Sequence, residues 1–415
     1  MSRLLMLESW VGANGRLLPQ RIKEMGHSYV LATRSPNHYG TDHDGTPHPV
    51  LALADEILSV ETNDVRQILD AVRGRRFDGV ITICDYYIET TVEVSRSMGL
   101  PCPFPQGVKN IRRKDILRAT LDRTGIPNVQ HALCSCWDET KASANRLSYP
   151  LVIKPVDLAS SAFVRLIHDE RELQDAFAAL EAFTVNFRDQ PRERLILLEE
   201  YLDGPEFSVE TVISRGQPTT LGITDKSVTG SPRFIEDGHM FPAPLEPNVE
   251  QTVMDYVNSV LQALQFEYGV AHTEIKLTAN GPKIVEINVR PAGNYIAELV
   301  EIVTGVDILK AFVDLSLGQR PVVERRNTGT TSAAVAFLVP NGWGIIKEMS
   351  GIDVMARAPH VHRWSMEDLT GTVVHKAVDN ASYLGHVLTV DPLGMEARYH
   401  AESALKRVNL RFEHP

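Results

Sequence analysis

Apolar runs and helical stripes alternate along the first hundred residues. Leu4-Leu5-Met6-Leu7 is an unbroken apolar run, which suits a strand buried on both faces. Tyr29-Val30-Leu31-Ala32, Glu56-Ile57-Leu58-Ser59-Val60 and Gly79-Val80-Ile81-Thr82-Ile83 read as three more strands. Val65, Ile68, Leu69 and Val72 recur at i, i+3, i+4 and i+7, the stripe of one helix face, with Thr62 or Asn63 in position to cap it. A further helix spans about Ile88 to Met98 and stops at Gly99, with Pro101 beyond. Strands alternating with helices predict an open parallel sheet, which binds ligands at the carboxyl ends of its strands. Two loops follow strands: Gly12 to Gly15, and Asp85-Tyr86-Tyr87. Gly12-x-x-Gly15 lacks the spacing of a dinucleotide fingerprint.

Pro101, Pro103 and Pro105 mark a boundary near residue 105. A connecting helix is expected from about Gly107 to Asp122, within a linker at 106–129. From 130 to 315 strands and helices mix without strict alternation, an α+β pattern. Its helix faces include Leu173, Ala176, Phe177 and Leu180, and also Val257, Val260, Leu261 and Leu264. Residues 316–415 turn strand-rich, with Ala333 to Leu338 as one such run, and read as a β-rich cap over the site or as a subunit contact. The expected fold class is therefore α/β and α+β, in several units, as a length of 415 residues allows.

The chemistry concentrates between residues 270 and 293. His272, Glu274 and Lys276 alternate with Ile275 and Leu277; Glu286, Asn288 and Arg290 alternate with Val285, Ile287 and Val289. Two alternating runs joined through Asn280-Gly281 predict a β-hairpin. A three-residue loop, Ala279 to Gly281, sets Glu274 opposite Glu286; a two-residue Asn280-Gly281 loop puts them on opposite faces. A shared site needs the odd loop or a bulge. Two carboxylates and an amide oxygen on one face suit Mg²⁺, a hard cation that takes oxygen ligands and shares itself with substrate phosphates. Spacing alone fits a solvent-facing polar side of a half-exposed sheet equally well.

Composition adds mainly exclusions. At 43% hydrophobic and 23% charged residues the chain falls in no biased class. A net charge of −11 argues against nucleic acid as a partner, which needs clustered Lys and Arg. The one dense basic run is Arg112-Arg113-Lys114. Of four cysteines, the Cys134-x-Cys136 pair has no second pair at zinc spacing, so free thiols in a reducing cytosol are expected. Leu4 to Leu7 is too short for a signal-peptide core or a membrane span, so the expected location is cytoplasmic, with no membrane partner.

Together with three upstream segments, the hairpin resembles the ATP-grasp ligases. Those segments are Pro150-Leu151-Val152-Ile153-Lys154-Pro155, Leu197-Leu198-Glu199-Glu200-Tyr201-Leu202 and Gly204-Pro205-Glu206-Phe207-Ser208-Val209-Glu210. The resemblance runs from about residue 2 to 315 and implies an N-terminal pre-ATP-grasp domain at 1–105, one ATP-grasp subdomain at 130–202 and a second at 203–315. Within the superfamily the chain is most similar to the dipeptide-forming L-amino-acid ligases, the branch that includes antibiotic-pathway enzymes such as dapdiamide synthetase. Glu236-Asp237-Gly238-His239, Thr224-Asp225-Lys226 and Glu286-x-Asn288-x-Arg290-Pro291-Ala292-Gly293 carry that likeness.

The resemblance implies ATP and Mg²⁺ as cofactors and a carboxylate activated as an acyl phosphate, then joined to an amine such as an amino acid. Glu274, Glu286 and Asn288 would hold Mg²⁺. Lys154 would contact the ATP phosphates, and Lys114 would be a second phosphate-side lysine. Glu199, Glu200, Tyr201 and Leu202 would grip the adenine, Glu206 the ribose, and Lys226 completes the nucleotide set. Arg290 would bind the transferred phosphate and the oxyanion, and His239 would belong to the substrate pocket as a candidate catalytic residue. The phosphate loop, Val156 to Val164, has no glycine, unlike most of the superfamily; Ser160 and Ser161 would donate to phosphates instead. Residues 156–164 and 228–242 would be the mobile lids over a water-sensitive intermediate. The competing readings are a bicarbonate-using carboxylase of the same superfamily and a non-catalytic ATP-binding protein. A homodimer is compatible with the sequence, which does not set the oligomeric state.

Overall fold

The computed structural model describes residues 1–41, 45–159, 161–229, 235–377, 380 and 382–413. The N-terminal apolar runs form β1 (Arg3–Leu7), β2 (Ser28–Thr33), β3 (Glu56–Ser59) and β4 (Gly79–Ile81), a parallel sheet in the order β3-β2-β1-β4. The expected helices are Val65–Ala71 and Ile88–Met98. The cap of the first is Asp64, which accepts from the Arg66 and Gln67 amides, rather than Thr62 or Asn63. Gly15 lies inside the helix Ala13–Glu24, where a Cβ would come within 1.7 Å of the Trp10 carbonyl oxygen. Its glycine serves close packing of the turn after β1.

The connecting helix is two helices, Val108–Arg112 and Lys114–Thr124, because Arg113 is extended at φ −72° and ψ 112°. A second, antiparallel sheet contains β5 (His131–Cys134), β6 (Leu151–Pro155), β7 (Arg165–Ile167) and β8 (Ile196–Glu200), in the order β5-β8-β6-β7. Next come β9 (Glu206–Ser214), β10 (Gln217–Thr229), β11 (Ile235–Phe241), β12 (Gly269–Thr278) and β13 (Gly281–Asn288). The C-terminal region adds β14 (Ser332–Phe337), β15 (Gly344–Ser350), β16 (Val361–Met366), β17 (Val373–Val374), β18 (Gly385–Asp391) and β19 (Asn409–Glu413).

The C-terminal region is not a free-standing layer. β14, β18 and β16 extend the central sheet, whose order is β13-β12-β9-β10-β11-β14-β18-β16, and only β17-β15-β19 form a sheet of their own. The β11–β14 seam pairs Gly238 to Phe241 with Ala336 to Ala333. One apolar core likewise joins the parallel sheet to the central one, with Leu4, Met6, Phe104, Val209, Ile275, Ile284 and Phe312 in a single cluster. At that junction a Cβ on Gly79 would lie 1.9 Å from the Ser316 carbonyl oxygen, so the glycine lets β4 meet the helix Ile308–Ser316. Among the described residues no helix is long and apolar enough to cross a membrane, and all four cysteines are free, with Cys136 exposed.

Candidate active site

The β12–β13 hairpin closes through Ala279-Asn280, since Thr278 pairs with Gly281. That loop alone would set Glu274 against Val285. The register shifts between Glu274 and Ile275, Val285 is left without a partner, and Glu274 pairs with Glu286. The bulge, not an odd loop, brings the two carboxylates together. Asn288 joins them: its Nδ2 donates to Glu286 Oε1 at 2.9 Å and lies 3.5 Å from Glu274 Oε1.

Each carboxylate is held by cations from neighbouring strands and helices. Lys114, at the start of its helix, reaches Glu286 Oε2 at 2.8 Å and the Leu158 carbonyl at 3.1 Å. Burial works to raise the Glu286 carboxyl, but Lys114, with Asn288 and Lys154, draws it down to about 2. Glu274 accepts ion pairs from Lys226 at 3.1 Å and from His272 Nε2 at 3.1 Å, and is held below the usual carboxyl range. Lys226, its side chain 1% exposed, also meets Glu206 at 3.0 Å and Glu236 at 2.8 Å. Burial alone would depress this lysine; Glu236, Glu274 and Glu206 reverse that and keep it firmly charged. Burial would also depress His272, yet Glu210, 3.0 Å from Nδ1, and Glu274 together raise it to about 9.

Lys154, at the end of β6, ion-pairs with Glu199 Oε2 at 2.6 Å. The same carboxylate takes Arg118 Nε at 2.6 Å, and the bulged Val285 carbonyl accepts from Arg118 Nη2 at 3.1 Å. Burial pushes Glu199 up, but Arg118 and Lys154 together hold it at about 2.

These residues line two adjoining cavities. The first is bounded by Lys114, Lys154, Ser161, Glu199, Glu200, Tyr201, Leu202, Glu206, Glu274 and Glu286. The second is bounded by Trp10, Gly12, Asn14, Tyr86, Phe187, Asn288, Arg290 and Asn294, and shares Ser161, Ala162, Glu236, Glu274 and Glu286 with the first. Arg290 projects there with its Nε on Asp85 Oδ2 at 2.6 Å, and Trp10 Nε1 donates to the same oxygen at 3.1 Å. Both loops that follow β1 and β4 thus reach the second cavity.

A family model described as ATP-grasp domain matches residues 147–298, and one described as L-amino acid ligase C-terminal domain 2 matches residues 336–413. Residues 147–298 are an ATP-grasp domain. The chain is 26% identical over 341 residues to carnosine synthase 1 of Homo sapiens, covering 76% of this chain and 40% of that relative. It is 27% identical over 194 residues to dapdiamide A synthase of Enterobacter agglomerans, covering 46% of this chain and 45% of that one. The matched stretches thus cover less than half the length of these two relatives. The crystal structure of L-amino acid ligase from Bacillus licheniformis matches with a TM-score of 0.81 at 21% identity, over 100% of this chain and 99% of that chain.

Within the ATP-grasp domain, the carboxylate pair and Asn288 fit a hard cation. Both carboxylates are held ionised, and turning the Asn288 amide about its last bond presents its oxygen to the same point. Not every residue singled out by sequence lies at a cavity wall. His239 is fully buried, edge-on to Phe337, with Nε2 3.3 Å from Glu236 Oε2. It meets the second cavity only through Glu236. Ser160 and residues 230–234 of the 228–242 segment lie outside the described residues. Three residues that join the network were not anticipated as site residues: Arg118, Glu210 and Glu236. Glu210 carried a usable signal, since it continues the Glu206-Ser208 alternation along β9 and pairs in register with His272.

Proposed function

We propose that this chain is an ATP-dependent ligase that joins the carboxylate of an amino acid or N-acylated amino acid to the amine of a second amino acid, as in peptide-antibiotic synthesis. The observation that carries this reading is the continuity of the two cavities through Glu274 and Glu286, with Lys114 and Lys154 on one side and Arg290 on the other. ATP occupies the first cavity, its adenine edge on the strand-like backbone of Glu199 to Leu202, its ribose near Glu206 and Lys226. Its phosphates point to Lys154, Lys114 and the loop bearing Ser160 and Ser161. Mg²⁺, held by Glu274, Glu286 and Asn288, supplies shielding of the phosphate oxygens when bound.

Catalysis is then mainly positioning and charge. A substrate carboxylate oxygen attacks the γ-phosphorus, the bond from phosphorus to the ADP oxygen breaks, and an acyl phosphate forms. Arg290, oriented by Asp85, binds the transferred phosphoryl oxygens and then the oxyanion that develops as the amine attacks. The acyl carbon–oxygen bond breaks, phosphate leaves, and the nitrogen gives up one proton. His239 supports Glu236 at the wall rather than touching the reacting atoms.

The test is incubation with Mg-ATP and a matrix of carboxylate and amine pairs, following ADP and product mass. ADP release that requires two partners, with a product equal to their sum minus water, is the expected result. AMP and pyrophosphate would overturn the acyl phosphate, and ADP release stimulated by bicarbonate without an amino acid would replace the reading with a carboxylase.

A further inference from the structure

The second cavity has a neighbour on the side away from the nucleotide. A polar cavity opens at the carboxyl ends of β1, β2 and β3, with Arg34, Glu61, Arg188 and Asp189 in its wall. Among the described residues, Phe187 is the one that lines both this cavity and the second. It is 59% exposed, a large apolar side chain left open between a substrate pocket and a charged vestibule.

Phe187 is held there by a strap that runs from the second sheet to the parallel one. The Arg188 carbonyl accepts from Arg34 Nη1 at 2.6 Å and from Asn63 Nδ2 at 2.8 Å. The Arg188 guanidinium donates to the Ser9 carbonyl at 2.7 Å, and Gln190 Nε2 donates to the Tyr86 carbonyl at 3.0 Å. Within the strap, Asn186 Oδ1 accepts the Arg188 and Gln190 amides at 2.8 and 3.1 Å. The Phe187 ring also sits 5.3 Å from that of Phe183, which lies 4.7 Å from Phe163 of the phosphate loop. Bonds to four separate segments of the N-terminal unit hold the backbone just after the ring, and Asn186 ties the residue before it to the same turn, so the wall is set by its side chain and not by a free loop.

We infer that Phe187 partitions the two cavities and thereby sets the length of substrate side chain that this ligase accepts. This inference rests on the ligase reading above. A short or branched apolar side chain stops at the ring. A longer unbranched one has to pass it, and beyond lie Arg34 and Glu61, paired to each other at 3.0 Å, whose carboxylate a cationic end would share. Removing the ring joins the two spaces.

The experiment offers alanine, norvaline, norleucine, lysine and arginine, each with Mg-ATP and alanine as common partner, to the wild type and to Phe187→Ala. In the variant, kcat/KM for lysine and arginine relative to alanine should rise about tenfold or more, the scale on which pocket size discriminates. The KM for ATP should stay within about twofold, and Phe187→Leu should keep the wild-type order. Binding of the same amino acids is measured in parallel by calorimetry with a non-hydrolysable ATP analogue, which needs no turnover. An identical length order in both proteins, or binding of none of the series, would overturn the partition. A length order in binding that Phe187→Ala relaxes, with no ADP release from either protein, would count against the ligase reading and support the partition.

Discussion

Glu274 and Glu286 stand side by side across the hairpin because Val285 is pushed out of the ladder between them. The displaced residue is used in turn: its carbonyl accepts from Arg118 at 3.1 Å. One irregularity thus sets both the carboxylate pair and an anchor for the cationic side of the site. Glu286→Gln keeps the shape and removes one charge, leaving Lys114 without its 2.8 Å counter-ion. We expect ADP release to fall about 10²-fold or more, and the concentration of Mg²⁺ needed for half-maximal rate to rise. Wild-type rates with a changed nucleotide affinity alone would contradict this.

Arg290 and Asp85 come from different sheets, 2.6 Å apart at closest approach. Arg290→Ala should cost about 10² to 10³ in kcat while the KM for ATP shifts less than threefold or so, because the guanidinium acts on charge that develops during reaction. Asp85→Asn should give a smaller loss in kcat, and the double variant should be no worse than Arg290→Ala. Equal losses in turnover and ATP binding would remove this role.

Arg118 is fully buried and shares Glu199 with Lys154. Arg118→Ala leaves a buried carboxylate with half its support, so unfolding free energy should drop by about 3 kcal/mol, read from denaturant unfolding. Glu199 is depressed to about 2 in the folded chain. Its contribution is therefore complete above the ordinary carboxyl pKa and disappears as the pH falls through about 2. The variant should show a shallower acid limb.

His386 gives the opposite group type and the same direction of dependence. Buried against Tyr295, with ring centroids 4.1 Å apart, it is lowered to about 4 by burial and by Arg363. The unfolded chain therefore binds a proton near pH 6.5 that the folded chain refuses until about pH 4. Stability should fall by about 3 kcal/mol as the pH drops through that window. His386→Phe should flatten the slope; an unchanged profile would show that the ring titrates freely.

How far these relationships could be read from sequence depended on their reach along the chain. The unbroken runs of β1, β2 and β4 and the alternation of β12 and β13 are local, and the sheet and hairpin follow from them. The bulge at Val285 is a choice of one residue in register, and the carbonyl it turns out accepts from Arg118 and Lys154 on other elements, so the alternation allowed it without requiring it. Arg118 looked like any charge in a helix because its partner lies 81 residues away. Nothing local to His239 says that β14 will cover it with Phe337. The helix break at Arg113 has a local trace in the basic run it interrupts, but no proline or glycine marks it.

The seam between β11 and β14 bears on how such ligases can be recombined. Four residue pairs cross it, and His239 lies in the strand on its inner side. A chimera cut near residue 315 would ask a foreign C-terminal part to supply the partner of β11 in register, or leave a bare strand edge open to pairing with another chain. A junction placed after β14 keeps that seam native but breaks the next one, where Ser332 to Phe337 pair with Asp391 to His386. Grafts that carry strands β14 to β19 as a unit, with β11 matched to them, are the ones expected to fold, so the C-terminal part of this chain is inherited together with the wall of the active site.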